Sequence, residues 1–282
     1  MRIALCQLPV SSRPDVNLRR VQLALQNAAE DGADLAVFPE ATPTRFGTDL
    51  RAAAEPLDGP FCSGLAAAAK KTGVALVAGV FEPGPEGRVY NTAVVIDGGG
   101  ALVASYRKLH LFDAFTQRES DFVAPGSAVL VTPVAGVPVG VQICYDIRFP
   151  ELTRALAVGG ASLVTVSAAW QAGLFKEEHW VTLLRARAIE NTVWIAAVGQ
   201  VPEPREWVHG VGYMPEPDEK PTNAATGVGR SMLIDPLGVV RADLGPAPGV
   251  VVVNADMSLV DTVRKTLPSL ANRRTDIFPE YK

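Results

Sequence analysis

Val137-Pro138-Val139-Gly140-Val141-Gln142-Ile143-Cys144-Tyr145-Asp146-Ile147-Arg148-Phe149-Pro150-Glu151-Leu152 decides how the chain is read. Its first half is a Val- and Ile-rich run that reads as a buried strand and stops at Cys144. Pro150 stands where a helix tolerates proline, in its first turn, and the helix runs on to Val158 before Gly159-Gly160 ends it. A strand, a sharp turn carrying a thiol and a departing helix make a nucleophile elbow. Such a turn lifts the sulfur out of the sheet and leaves backbone N–H groups to meet an oxyanion. The same cysteine also reads as a small core hydrophobe, the usual place of a free thiol, and the stretch alone leaves both readings open.

The composition sets the frame. A chain of 282 residues is long enough to bury a large core, and 48% hydrophobic with 20% charged residues is ordinary for a globular protein. A net charge of −4, with no Lys/Arg block or basic-aromatic stripe, argues against nucleic acid or an acidic membrane surface as partner. The run Ile3–Leu8 is too short for a signal peptide and reads as a strand, and no apolar stretch approaches the length of a membrane span. Cys6, Cys62 and Cys144 form no spaced pattern, so neither a disulfide framework nor a zinc site is expected, and a reducing cytoplasm is.

Outward from the elbow, the chain alternates. Before it, strand Ile3–Leu8, helix Asp15–Asp31, strand Leu35–Phe38, helix Phe61–Lys71, strand Val74–Val80 and a hairpin of Tyr90–Ile96 with Leu102–Tyr106 are expected. Strand Val129–Thr132 precedes the elbow strand Val137–Ile143. After it come strand Ser162–Ser167, helix Glu177–Glu190, strand Val193–Val198, a hairpin of Ser231–Ile234 with Val239–Ala242, strand Val250–Asp256 and helix Ser258–Thr266. The matching order of elements in the two halves predicts two α/β layers packed sheet to sheet, with helices outside. One domain over residues 1–282 is expected, its polar tail 271–282 lying on a neighbouring surface or subunit. Residues 200–230, rich in proline and with Trp207 and Tyr213, read either as an insertion or as an ordered lid or oligomer contact.

Glu40, Lys108 and Cys144 each follow the C-terminal end of an expected strand, the edge at which α/β sheets build their sites. A thiol with a reference pKa of about 8.5 needs a base or a cation beside it at neutral pH. Glu40 suits the base and Lys108 the cation, which makes Cys144 the expected low-pKa, reactive thiol of the three. Each also has a plainer reading, Glu40 as a cap and Lys108 as one more solvated charge beside Arg107. Glu119 reads equally as an ordinary loop acid. A Cys-His arrangement would have to draw on His110, His179 or His209, none of which sits in a local signature.

Phe38-Pro39-Glu40, the segment Tyr106–Asp113 and the segment Gly140–Leu152 resemble the three catalytic motifs of the nitrilase (carbon–nitrogen hydrolase) superfamily. Arg185–Asn191 and Ser231–Gly238 resemble its later motifs, so the resemblance spans nearly the whole chain in order. It implies a four-layer α-β-β-α sandwich, two mixed sheets with helices on both outer faces. It further implies Glu40 as general base and acid, Lys108 as electrostatic stabiliser, Cys144 as nucleophile and Glu119 as a second active-site glutamate. Tyr145 would give a backbone N–H to the oxyanion, and no metal or organic cofactor would be used.

Cys144-Tyr145-Asp146-Ile147-Arg148-Phe149-Pro150-Glu151-Leu152 is similar to the omega-amidase and deaminated-glutathione amidase branch. That implies hydrolysis of a small linear amide, carboxylate-bearing and of omega-amide type, through a cysteine thioester in a cytoplasmic homodimer or larger homo-oligomer. Residues 200–230 look longer than in that branch, and Arg230 stands where it often has His. Arg148 would grip the substrate carboxylate with two parallel hydrogen bonds, or else hold Glu151 or Asp146 to shape the elbow. His179 and Trp180 would line the pocket, or Trp180 would simply pack. Arg187 and Glu190 are spaced for a structural ion pair. The competing readings are a nitrile or N-carbamoyl hydrolase or an acyl transferase with the same three residues, or a catalytically inactive binding homologue.

Overall fold

The structure, a computed structural model, describes residues 1–202 and 227–278. Most of the segment 200–230, with Trp207, His209 and Tyr213, and the last residues of the tail therefore lie outside the described residues. One sheet holds β1 (Arg2–Gln7), β2 (Leu35–Val37), β3 (Ala75–Pro83), β4 (Val89–Ile96), β5 (Leu102–Arg107) and the short β6 (Val123–Ala124). The second holds β7 (Val131–Val134), β8 (Val137–Ile143), β9 (Leu163–Ala168), β10 (Trp194–Gly199), β11 (Met232–Ile234) and β12 (Val240–Asp243). The last strand, β13 (Gly249–Asn254), returns to the first sheet and pairs antiparallel with β1. The strand orders are 13-1-2-3-4-5, with β6 beside β4, and 12-11-10-9-8-7.

Alternation along the strands builds two cores from one sheet. Ile3 and Leu5 of β1, Leu35 and Val37 of β2, and Val77 of β3 point into the large core against Val139, Val141 and Ile143 of β8 and the apolar strands β9 and β10. Their neighbours Ala4, Cys6, Ala36, Leu76 and Ala78 point the other way, onto α1 (Pro14–Glu30) and α3 (Pro60–Thr72). On the far side, α4 (Pro150–Val158) and α5 (Lys176–Asn191) lay Leu152, Leu156, Trp180, Leu184 and Ala188 against the second sheet. Burial on both faces explains why these strands read as continuous apolar runs. The result is the expected four-layer α-β-β-α sandwich with two mixed sheets.

Most boundaries fall within a residue or two of expectation, and β8, α4 and the final helix α6 (Ser258–Thr266) coincide with it. Two elements have no counterpart in the expected order, α2 (Leu50–Ala53) and β6. Both are too short to carry a hydrophobic period. Their neighbourhood matters all the same, because the segment from Phe46 to Arg51 forms one wall of the cavity described next.

Candidate active site

The elbow is built as a strained turn. Cys144 follows β8 with a φ of 47°, in the left-handed region that costs a non-glycine residue of order 1 kcal/mol or more. The chain then makes a short 3₁₀ turn over Cys144–Arg148 before α4 begins. Asp146, fully buried, holds that turn in shape: it accepts hydrogen bonds from the Ile143 N–H at 3.0 Å, the Tyr106 hydroxyl at 2.7 Å and the His110 N–H at 3.0 Å. The His110 Nδ1 lies 2.8 Å from the same carboxylate, and its ring stacks on Phe149 at 3.8 Å between centroids. Burial, and then the Asp146 charge, push the Tyr106 hydroxyl well above the usual phenol range, so it stays a donor. From α5, Arg187 donates to the Ile147 carbonyl at 3.0 Å while pairing with Glu190 at 3.1 Å, which makes that ion pair the structural one expected.

Across from the elbow, the first sheet delivers a lysine between two carboxylates. Lys108 directly follows β5, and its Nζ donates to Glu40 Oε1 at 3.0 Å and to the two oxygens of Glu119 at 3.0 and 2.9 Å. All three side chains are buried. Glu40 sits just past β2, and this segment runs so close to β3 that a Cβ on Gly79 would lie 2.7 Å from the Glu40 Cα. Only glycine allows that approach. Asn91 of β4 donates to Glu40 at 2.7 Å and to Glu119 at 3.3 Å; the Ala169 N–H, past β9 in the second sheet, donates to Glu40 Oε2 at 2.8 Å. The Phe112 N–H donates to Glu119 at 2.6 Å.

The charges fix the resting protonation. Burial pulls the Lys108 ammonium down, but Glu119, Glu40 and Cys144 outweigh it and hold the group well above the usual lysine range. Cys144 goes the other way from expectation. Burial and then the Glu40 carboxylate push its thiol well above the ordinary value, against the opposing pull of Lys108 and the Ala169 N–H. The low-pKa thiol inferred from an adjacent lysine is therefore corrected. Burial and the neighbouring Glu40 charge outweigh the lysine, so the sulfur rests as a thiol beside Glu40.

Glu40, Lys108, Glu119 and Cys144 open together onto one cavity of about 450 Å³. Tyr145 and Arg148 line it as expected; the Arg148 guanidinium lies 4.7 Å from the centre of the Trp170 ring. Arg148 makes no ion pair with Glu151 or Asp146, the bracing alternative, because Asp146 is already occupied by Tyr106, His110 and Ile143. His179 is exposed and reaches the cavity only through Arg148, whose Nη2 lies 3.4 Å from its Nδ1. Trp180 is a correction. It is fully buried in the core behind Trp170, with ring centres 5.1 Å apart, and its indole N–H is taken by the Arg230 carbonyl at 2.8 Å. Neighbours on a helix point about 100° apart, so His179 and Trp180 could not both face the pocket.

Residues that the sequence reading passed over complete the site: Asn91, Trp170, Lys176 and the Ala169 N–H. Asn91 left a signal, as a lone amide within the apolar strand Val89–Ile96. A main-chain donor leaves none.

A buried carboxylate–lysine–carboxylate cluster facing a thiol on an elbow, between two sheets of an α-β-β-α sandwich, defines a hydrolase of nitrilase-like architecture. The chain belongs to the carbon–nitrogen hydrolase family, whose sequence model matches residues 2–265. It is similar to the hydrolase Rv0480c of Mycobacterium tuberculosis, 42% identical over 275 residues that cover 97% of this chain and 95% of that protein. It is also similar to the deaminated glutathione amidase of Escherichia coli O157:H7, 34% identical over 278 residues and 97% of both chains. Among solved structures it resembles the amidase from Nesterenkonia sp. AN1 with a TM-score of 0.80 and 28% identity, covering all of this chain and 97% of that one. A point mutant of that amidase was captured with the acetamide moiety of fluoroacetamide added covalently at its active site cysteine. The chain is thus a hydrolase acting on carbon–nitrogen bonds.

Proposed function

We propose that this hydrolase is an amidase that cleaves a small linear amide bearing a carboxylate, of omega-amide type, through a thioester on Cys144. The observation that carries the reading is the opening of Cys144, Glu40, Lys108 and Glu119 onto one cavity whose wall also presents Arg148. Because the resting sulfur is a thiol, attack requires a base at the moment of reaction. Glu40 takes the Sγ proton as sulfur bonds to the amide carbon, then returns it to the departing nitrogen, releasing ammonia or amine. Lys108 offsets the negative charge that gathers during attack, and the Tyr145 N–H at the start of the turn meets the oxyanion. Glu119 positions Lys108 through two hydrogen bonds. Water, deprotonated by Glu40, then frees the acid and restores the thiol.

Arg148 supplies the partner that a buried substrate carboxylate needs. The name of the Escherichia coli relative, deaminated glutathione amidase, supports an amide substrate. We read the protein as one catalytic domain working in the cytoplasm as a homodimer or larger homo-oligomer. Exposed Ile277 and Phe278 in the tail support a contact with a second copy. Ammonia release from a panel of omega-amides, neutral amides, nitriles and carbamoyl amino acids tests the reading; turnover confined to nitriles or carbamoyl compounds would overturn it.

A further inference from the structure

Lys176 opens α5 with its side chain folded inward, and only 8% of the residue is exposed. A buried ammonium normally sits on a carboxylate. This one lies instead against three aromatic rings, with Nζ 5.0 Å from the centre of Phe112, 5.4 Å from Phe115 and 5.8 Å from Trp170. Among the described residues no carboxylate or carbonyl accepts from it. The acids beside it in the chain, Glu177 and Glu178, are exposed, and Glu177 faces Arg230 at 3.6 Å. The seat is shaped for the lysine stem: a Cβ on Gly173 would lie 2.8 Å from the Lys176 Cδ, so any larger residue at 173 would displace it. The Trp170 indole N–H fixes the same turn by donating to the Lys176 carbonyl at 2.8 Å.

The charge it joins is also positive. Arg148 lies over the same Trp170 ring, its Nε buried and without a hydrogen-bond partner among the described residues, and both residues line the cavity that holds Cys144. Burial, and in part the charge of Arg148, lowers the Lys176 pKa, as expected of like charges held together out of water. The cavity is polarised in consequence. Its catalytic end carries two glutamates and one lysine, and Asp49 and Arg51 lie on the wall from Phe46 to Arg51; among the described residues the Trp170 wall carries two cations and no acid.

We propose that Lys176 is a specificity-determining residue, which with Arg148 forms a two-cation subsite for the anionic far end of the substrate, a carboxylate bridging ammonium and guanidinium. This rests on the amidase reading for the amide end only; the anion end is carried by the Trp170 wall itself. Arg148 gives orientation through its planar fork, and Lys176 gives a point charge that no neutral group in the pocket replaces. Amides with a distal carboxylate are favoured over neutral amides of the same length.

Succinate is a suitable probe, since it carries the far carboxylate without a scissile bond. Its dissociation constant is measured by calorimetry on full-length Cys144→Ala protein and on the same protein with Lys176→Met or Lys176→Arg added, so that butyramide, the neutral reference, binds without being hydrolysed. Lys176→Met is expected to weaken succinate at least about tenfold relative to butyramide, and Lys176→Arg to recover most of the loss. Equal losses for both probes would mean that Lys176 only packs the aromatic wall, and would overturn the proposal. So would a Cys144→Ala protein that binds butyramide more tightly than succinamate, which differs from it only at the far end. The amidase reading is judged separately, by ammonia release from succinamate and butyramide, so either proposal can fail while the other stands.

Discussion

The carboxylate of Glu40, carried by the first sheet, accepts a hydrogen bond of 2.8 Å from the main-chain N–H of Ala169, carried by the second. Every neighbour of Glu40 is a donor: Asn91 at 2.7 Å and Lys108 at 3.0 Å meet Oε1, and Ala169 meets Oε2. Glu40→Gln therefore does more than remove a base, because one end of the amide must turn its own N–H groups toward a donor. The expected outcome is a kcat lower by roughly 10²–10⁴-fold and a folded state weakened by about 1–3 kcal/mol. Steady-state kinetics with urea unfolding checks both halves; a variant with full kcat removes Glu40 from the chemistry.

Lys108→Met leaves Glu40 and Glu119 buried with Asn91 as their shared donor and no cation between them. Two carboxylates so placed repel one another with nothing between them to offset the charge. Activity is expected to fall at least as far as in Glu40→Gln, roughly 10²–10⁴-fold or more. Steady-state kinetics measure this, and a variant with wild-type kcat contradicts the role given to the lysine.

Asp146→Ala tests the elbow. It strips the acceptor from the Ile143 N–H, the Tyr106 hydroxyl and the His110 N–H, all inside the protein, and a cost of about 3 kcal/mol or more is expected. Because the strained Cys144 turn then relaxes, kcat should drop more than KM changes. A shift in the urea midpoint with unaltered kcat would confine Asp146 to stability.

Glu82 gives a pH test away from the cavity. Burial alone would raise its pKa, but Arg107, at 3.0 and 2.8 Å, and the Thr92 hydroxyl, at 2.6 Å, win and hold it below the ordinary carboxylate value. A carboxylate depressed in the folded state stabilises above its unfolded pKa, about 4.3, and loses that contribution as pH falls through the lower folded value. Wild type should therefore melt above Glu82→Gln at neutral pH, with the gap closing below about pH 4. A gap constant with pH would assign the pair no role in acid stability.

How far the sequence reveals all this depends on the kind of signal. Ile3 and Leu5 facing one core with Ala4 and Cys6 facing the other is a period of two, so the sandwich was legible. Cys144 was legible because an apolar run stops there and Pro150 fixes the next helix. Its pKa was not, since that depends on how deeply the fold buries the thiol and how near it brings Glu40, which lies on a distant segment. Lys176 reads as a solvated charge on a helix that begins Lys-Glu-Glu; only the fold turns it inward over Gly173. Trp180 misled for the opposite reason: beside His179 it looked like a pocket residue, and one step of helical rotation places it in the core.

Covalent capture at Cys144 tests the central claim most directly. Cys6 and Cys62 are buried and neither lines the cavity that holds Cys144, so neither competes. Wild-type protein is quenched in acid during turnover of an omega-amide and its peptides are read by mass spectrometry, with Cys144→Ala alongside. An acyl mass on the Cys144 peptide, absent from a Cys144→Ala protein that folds but does not turn over, is the predicted result; turnover by Cys144→Ala would contradict the account.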